Sequence, residues 1–193
     1  MAKSDTQSKK YDETVEDDSF FTPDQIIQIV KVLKSNYTHL LWFKLLYTFG
    51  MNLKDIVNLK VGAIDFQRSK IKILGGEKSL SRSLDIPFSI LCDFRIFCHQ
   101  KTSDDFVFQG RSGKLHTRTI QKALEKIENK IGLSVSVPKI RRSIAVHLRQ
   151  NGWSQVEIGL FLGHVNTRST RNLFGQIRSF PKGDLVSIEQ LLK

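Results

Sequence analysis

An apolar segment at residues 38–49 is the sequence feature that most restricts how this chain can fold. It is rich in leucine and aromatic residues, among them Leu41, Trp42 and Leu45, and Gly50 follows it as a helix stop signal. A helix with so little polar surface is expected to be largely buried, so other elements must cover it. A chain of 193 residues, 40% of them hydrophobic, is long enough to build such a core, and one domain is the simpler interpretation.

The remaining residues show helix signals on both sides of one hairpin. Thr22-Pro23-Asp24-Gln25 is typical of a capping box and predicts a helix start. The alternation through Ile71 and Ile73, followed by Gly75-Gly76, predicts a β-hairpin. We therefore expect an α+β domain, mostly α, with a small antiparallel sheet. The predicted helices are residues 24–33, 38–49, 53–59, 88–100, 117–131, 138–150, 154–162, 169–174 and 184–192, and the predicted strands are residues 64–74, 82–86 and 106–108.

The charge of the chain is distributed unevenly. The formal net charge is +11, but residues 1–18 contain three lysines and six acidic residues, which leaves +14 on residues 19–193. A domain with this positive excess favours a polyanionic partner, with nucleic acid ahead of an anionic membrane surface. The polar, aperiodic residues 1–19 are predicted to be a disordered acidic tail, and residues 20–193 a single domain.

The two cysteines and the N-terminus indicate the compartment. Cys92 and Cys98 lie about 120° apart around the predicted helix. This spacing disfavours a disulfide or a metal pair and indicates free thiols in a reducing environment. The N-terminus is polar, and no apolar run approaches the ~18 residues of a membrane span. We expect a cytoplasmic protein without membrane contact, metal or cofactor.

Three short blocks carry the functional signal. They are Gly50-Met51-Asn52-Leu53 after the apolar helix, Ile140-Arg141-Arg142, and Leu162-Gly163-His164. In this order, within about residues 20–174, they resemble the catalytic domain of tyrosine recombinases, the phage integrase family. The resemblance implies that family's mostly helical fold and duplex DNA as the partner. It also implies that the chain lacks the separate N-terminal DNA-clamping domain that most members carry.

The resemblance assigns catalytic positions to residues of this chain. Arg141 and His164 match the family's second arginine and its Leu-Gly-His histidine. The first catalytic arginine falls on Asn52, and the histidine of the second block falls on Pro138. The hairpin lysine falls nearest to Lys78, where the local length differs.

The position of the nucleophile lacks a hydroxyl. In the family a phenol oxygen attacks a DNA phosphate, and its usual spacing points to Leu173 or Phe174, whereas the last tyrosine of this sequence is Tyr47. Asn52 would offer one neutral hydrogen bond where an arginine gives a charged, bidentate pair. Loss of one such donor costs ~10²–10³ in rate, and loss of the nucleophile removes the covalent path. The sequence predicts that the chain is not an enzyme.

Basic side chains remain on both sides of these blocks. A cluster of cations at a helix start, here Lys139, Arg141 and Arg142, favours a bound phosphate. The resemblance implies that the helix starting near residue 117 lies near the major groove, where side chains read base edges. The predicted DNA-binding residues are Lys78, Lys114, His116, Thr117, Arg118, Gln121, Lys139, Arg141, Arg142, His164, Arg168 and Arg171.

The predicted function is a catalytically inactive DNA-binding protein, an accessory or regulatory factor in replication, transfer or transcription control on a plasmid or other mobile element. One alternative is an active recombinase or nickase with a relocated nucleophile. Another is a protein-interaction module that kept the fold without DNA binding. The predicted helix at residues 184–192 could mediate self-association or pack within the chain through Leu185, Ile188, Leu191 and Leu192.

Overall fold

The computed structural model describes residues 19–110 and 113–174. Helix α2 is central, because ten consecutive residues from Leu40 to Phe49 are buried, as the sequence predicts. Gly50 ends the helix in the left-handed conformation, at φ 57°. The helices packed around α2 (Tyr37–Phe49) are α1 (Pro23–Leu33), α3 (Leu53–Val57), α4 (Phe88–Phe97), α5 (Thr117–Ile131) and α6 (Val137–Gln150).

A buried ion pair joins α2 to α4. Lys44 Nζ lies 2.7 Å from Asp93 Oδ2, and both side chains are less than a tenth exposed. The hydroxyl of Tyr37 donates to the other carboxylate oxygen of Asp93. A charge inside a core requires a partner, and here each charge has one. This explains how a lysine fits into an otherwise apolar helix.

Local capping explains where several helices begin. Thr22 Oγ1 accepts from Gln25 N at 3.3 Å, and Gln25 Oε1 accepts from Thr22 N at 3.0 Å, so the predicted capping box is confirmed. The two last helices of the described chain are α7 (Gln155–Leu162) and α8 (Thr167–Phe174). Ser154 and Glu157 form the same arrangement at the start of α7.

The hairpin is part of a three-stranded antiparallel sheet, so the prediction of one strand over residues 64–74 is wrong. Asp65 Oδ1 accepts from the backbone N–H of Gln67 at 3.1 Å and of Arg68 at 2.9 Å. This Asx turn, with Ser69 at φ 52°, reverses the chain and divides the segment. The strands, in sheet order, are β1 (Ile64–Asp65), β2 (Lys70–Ile73) and β3 (Arg82–Asp85).

The predicted strand at residues 106–108 is also wrong. Phe106 forms one isolated bridge with Lys60, and Val107 N donates to Leu59 O at 2.8 Å. The pairing is antiparallel and stops there because, beyond Leu59, the partner segment runs back into α3 through its C-cap, Asn58. The strands of this region directly follow residue 108. They are β4 (Gln109–Gly110) and β5 (Gly113–Lys114), which form a two-residue antiparallel ladder.

The fold class predicted from the sequence is confirmed: the described chain is mostly helical, with small antiparallel sheets. No helix in residues 19–110 or 113–174 combines the length and apolar character needed to cross a membrane. The predicted acidic tail and the predicted helix at residues 184–192 lie outside the described residues.

Candidate functional site

Two helix ends meet at the guanidinium of Arg141. Arg141 Nη1 donates to the carbonyl oxygen of Gly50, and Nη2 donates to that of Leu162 at 3.1 Å. The last carbonyls of a helix lack intrahelical partners and carry partial negative charge. Gly50 caps α2 and Leu162 ends α7. Arg141, on α6, therefore satisfies the C-terminal ends of two helices at once.

His164 orients the same guanidinium. Its Nε2 lies 3.1 Å from Arg141 Nη2, and its Nδ1 lies 2.8 Å from Thr170 Oγ1. Because a guanidinium only donates, Nε2 is the acceptor and Nδ1–H donates to Thr170. Burial, together with the charges of Arg141 and Arg82, lowers the pKa of His164 to about 4. His164 is thus a neutral imidazole near pH 7, and its Nε2 is engaged by Arg141.

A second guanidinium, that of Arg82, enters the site from β3. Arg82 Nη2 lies 3.4 Å from the carbonyl oxygens of Phe49 and Gly50. It is also 3.7 Å from Asp55 Oδ2, and its side chain is 7% exposed. We call Arg82, Arg141 and His164 the arginine cluster. Sequence reasoning missed Arg82, although the alternation along its strand places it on the same face as the inward-facing Leu84.

The turn at Gly163 lies close to the Arg82 guanidinium. A Cβ at Gly163 would lie 2.5 Å from Arg82 Nη1, and the backbone there has φ 72°. The N–H of Leu80, just before β3, donates to the carbonyl of Gly163 at 2.8 Å. The β2–β3 turn is thus docked on the turn that carries His164. Lys78 is exposed in this docked turn, next to Ser79, which bridges to His164.

Asn52 is a helix cap in this structure. Its Oδ1 accepts from Asp55 N and its N–H donates to Asp55 Oδ2, both at 2.9 Å, which forms the capping box of α3. The Asp55 carboxylate therefore faces both the start of α3 and Arg82. Burial, and then the charge of Arg82, lowers the pKa of Arg141 to about 10, while Asp55 opposes this shift. Two guanidiniums share one nearby carboxylate among the described residues, so the cluster favours an anion.

The predicted cluster at the start of α6 is divided between two places. Lys139 is 6% exposed, and its Nζ lies 4.6 Å from the ring centroid of Phe21. Arg142 Nη1 donates to the carbonyl of Ser19 at 2.9 Å. Residues three apart share one helix face, and here that face is turned toward the beginning of the domain. Arg141 lies on a different face and alone joins the arginine cluster.

The start of α5 forms a second basic region, which we call the α5 surface. Arg118 Nη1 lies 2.9 Å from Glu125 Oε1, with both side chains more than half exposed. Lys114 Nζ lies 5.5 Å above the ring of Phe106. A cavity extends from Arg118 to the first turn of α6. The other predicted residues of this surface are His116 and Gln121, both exposed, and Thr117, which is half-buried; the cavity lining includes Asn52, Gln121 and Pro138.

Helix α8 carries the remaining predicted positions. Arg168 and Arg171 are exposed, while Leu173 and Phe174 are partly buried against the core. Tyr47 is engaged elsewhere: its hydroxyl lies 2.5 Å from His147 Nδ1, and burial raises its pKa. Residues 19–110 and 113–174 contain no group of three histidine, cysteine or acidic side chains able to hold a metal ion.

Comparison with known proteins identifies the family. The sequence model of the phage integrase family matches residues 19–176. The tyrosine recombinase XerA of Thermococcus onnurineus (strain NA1) is 30% identical over 134 residues, which cover 67% of this chain and 48% of the relative. The chain thus spans about half the length of the curated relatives it matches.

Solved structures show the same fold. The crystal structure of XerA recombinase matches with a TM-score of 0.69 at 20% identity, over 83% of this chain and 65% of that one. The Tn1549 transposon integrase in complex with transposon right end DNA matches with a TM-score of 0.67 at 15% identity, over 84% and 63% of the two chains.

These comparisons overturn the prediction that the chain is not an enzyme, because its relatives are named tyrosine recombinases, which are enzymes. The prediction weighed residue types at single positions, such as Asn52, and did not include the guanidinium that Arg82 brings to the site. The resemblance seen in the three sequence blocks is confirmed. Since the family model covers most of its length, the chain belongs to the phage integrase family.

Proposed function

We propose that this chain binds duplex DNA as a domain of the tyrosine recombinase type and holds one phosphodiester at the arginine cluster. The observation that carries the proposal is the setting of Arg141, a partly buried cation fixed by two helix ends and by His164. A cation already oriented loses little freedom when it binds an anion. Charge-assisted hydrogen bonds to phosphate oxygens are among the stronger ones that proteins form.

The α5 surface extends the proposed contact along the duplex. Lys114, Arg118 and Gln121 are exposed on this surface, and the cavity next to Arg118 reaches the first turn of α6. Phosphate contacts set the register, and side chains in a groove discriminate sequence. In this proposal the arginine cluster, with Lys78, holds the backbone, while the α5 surface contacts bases. Arg168 and Arg171 on α8 add further phosphate contacts.

The proposed process is DNA recombination, in an accessory or regulatory role on a plasmid or other mobile element. The likeness to relatives named XerA supports recombination. The likeness to a transposon integrase in complex with transposon DNA supports the mobile-element setting. The net charge of +11 supports duplex DNA as the partner.

Strand cleavage with a relocated nucleophile is a second candidate, and the names of the relatives favour it. A nicked suicide substrate tests it, because a covalent intermediate would remain as a shifted band after denaturation. Mass spectrometry of the adduct would identify the attacking residue, and a Tyr11→Phe variant would test the tyrosine nearest the N-terminus. Intact binding without an adduct would exclude this candidate.

A binding selection followed by a salt titration tests the main proposal. The purified protein is mixed with fragmented DNA from its source, and the retained fragments are sequenced. Enrichment of one locus, with log K falling by ~0.9 per phosphate contact as log salt rises, would support site-specific binding. Absence of retention at low salt would contradict the proposal and favour a protein-interaction module.

A further inference from the structure

We propose that Arg82 and Arg141 form one paired clamp, in which Arg82 donates to the same DNA phosphate as Arg141. The inference rests on the proposed function and deepens it by assigning a second phosphate-binding residue. It is carried by the convergence of two guanidiniums, from β3 and from α6, on one carbonyl oxygen, that of Gly50.

The donors of Arg82 are poorly satisfied within the protein. Its two carbonyl contacts, to Phe49 and Gly50, are both at 3.4 Å, near the upper limit for a hydrogen bond. The Asp55 carboxylate, at 3.7 Å, is beyond that limit. Its Nε is buried and has no hydrogen-bond partner among the described residues. A guanidinium has five donors, so most of this side chain's capacity is unused.

Burial makes this unused capacity significant. The Arg82 side chain is 7% exposed, so water does little to compensate the missing partners. A buried charge with weak partners costs free energy, which a correctly placed anion would recover. Asp55 brings one negative charge against the two positive charges of Arg82 and Arg141, so it offsets only part of the charge of the cluster.

The charge balance of the cluster fits a phosphodiester. Among the described residues, Arg82 and Arg141 bring two positive charges and Asp55 one negative charge, while His164 is neutral near pH 7. The balance is one positive charge, equal and opposite to that of one phosphodiester. Two neighbouring guanidiniums can each supply donors to the two non-bridging oxygens of such a group.

The test compares Arg82→Met with Arg68→Met. Methionine keeps much of the side-chain volume and removes the charge. Arg68 is in the turn between β1 and β2, at the end of the sheet away from Arg82, and its side chain is 81% exposed. Binding of a short non-specific duplex is measured by fluorescence anisotropy over a range of salt concentrations. We expect Arg82→Met to lower affinity by about tenfold or more and to reduce the salt slope by ~0.9. Arg68→Met should change affinity by less than about threefold.

A second measurement covers the case in which Arg82→Met does not fold. In ¹⁵N-labelled wild-type protein, the Nε–H resonance of Arg82, assigned with Arg82→Lys, should shift when the duplex is added. An unmoved resonance, or a folded Arg82→Met with wild-type affinity and slope, would overturn the clamp and leave the proposed function intact. Failure of the wild-type protein to bind the duplex would overturn the proposed function itself.

Discussion

The arginine cluster and the α5 surface are both basic, but the protein holds them in different ways. Arg141 is fixed by carbonyls at two helix ends and by His164, before any ligand is present. Arg118 has one ion pair, to Glu125, with both side chains more than half exposed. Buried cations with fixed partners are preorganised, whereas exposed ones are screened and mobile. In the proposed function, the preorganised region sets the position of a phosphate and the mobile region adapts to the groove.

The largest expected effect is a loss of stability in acid caused by His147, which lies on α6, the helix that also carries Arg141. His147 is 5% exposed, and burial lowers its pKa to about 4. An unfolded histidine titrates near pH 6.5, so the unfolded state binds more protons between these two values. The free energy of unfolding should therefore fall as the pH falls through this window, by on the order of 3 kcal/mol. Urea unfolding at several pH values measures it.

Two variants locate this pH effect. Tyr47→Phe/His147→Leu replaces both members of a buried hydrogen-bonded pair with apolar groups and should remove about half of the dependence between pH 4 and 6.5, because His164, whose pKa is also lowered to about 4, keeps its own contribution. His116→Gln, on the exposed α5 surface, should retain it. If His116→Gln flattened the curve instead, the two regions would not differ as described.

Removal of the central guanidinium should have the next largest effect. Arg141→Ala is expected to lower DNA affinity by about 10- to 150-fold, because hydrogen bonds to charged groups contribute ~1.5–3 kcal/mol. Arg142→Ala makes the same charge change one residue away, where the guanidinium donates to Ser19 O. It should lower thermal stability and leave affinity within about threefold. Equal losses of affinity in both variants would show that net charge, and not the cluster, determines binding.

The turn under His164 offers a smaller and more local test. Gly163→Ala should destabilise the protein by ~1–2 kcal/mol, since an alanine is strained at φ 72°. It should also weaken DNA binding, because the added Cβ would lie 2.5 Å from Arg82 Nη1. Gly132→Ala is the matched control: its φ is 69°, but no described atom lies within 4 Å of the added Cβ. Chemical denaturation and anisotropy of both variants separate backbone strain from displacement of Arg82.

The smallest expected effect on affinity is at the α5 surface. Arg118→Ala should change salt-driven affinity by less than ~1 kcal/mol, because its side chain is 63% exposed and its ion pair is screened. It should relax sequence preference more than it weakens binding. A selection from randomised duplexes measures the preference. Uniform weakening on all sequences would assign Arg118 to the phosphate backbone.

Much of the fold was predictable because its signals are local. The buried helix α2 follows from an apolar segment ended by Gly50, and the α1 start follows from Thr22 and Gln25. The strand error at residues 64–74 came from a side-chain turn at Asp65, which an apolar alternation does not reveal. Helix bounds differed by only a few residues where caps were recognised.

The site was predictable only in part, because side chains cross between distant segments. Arg141 and His164 were assigned to two catalytic positions of one family pattern, and the structure brings them within 3.1 Å. Lys139 and Arg142 point away from Arg141 because they contact Phe21 and Ser19, more than a hundred residues earlier in the chain. The direction of such a side chain is set by tertiary packing and leaves no spacing signal in the sequence.

Gly50 makes the core and the arginine cluster mechanically dependent on each other. Its carbonyl ends the most buried helix of the described chain and accepts from both arginines, and a Cβ there would lie 2.5 Å from Leu162 Cδ2. A core substitution that rotates or shifts α2 would therefore move the common anchor of both guanidiniums. Variation deep in the interior can then tune affinity for an outside partner, so sequence changes far from any DNA contact become part of how such a domain evolves its binding.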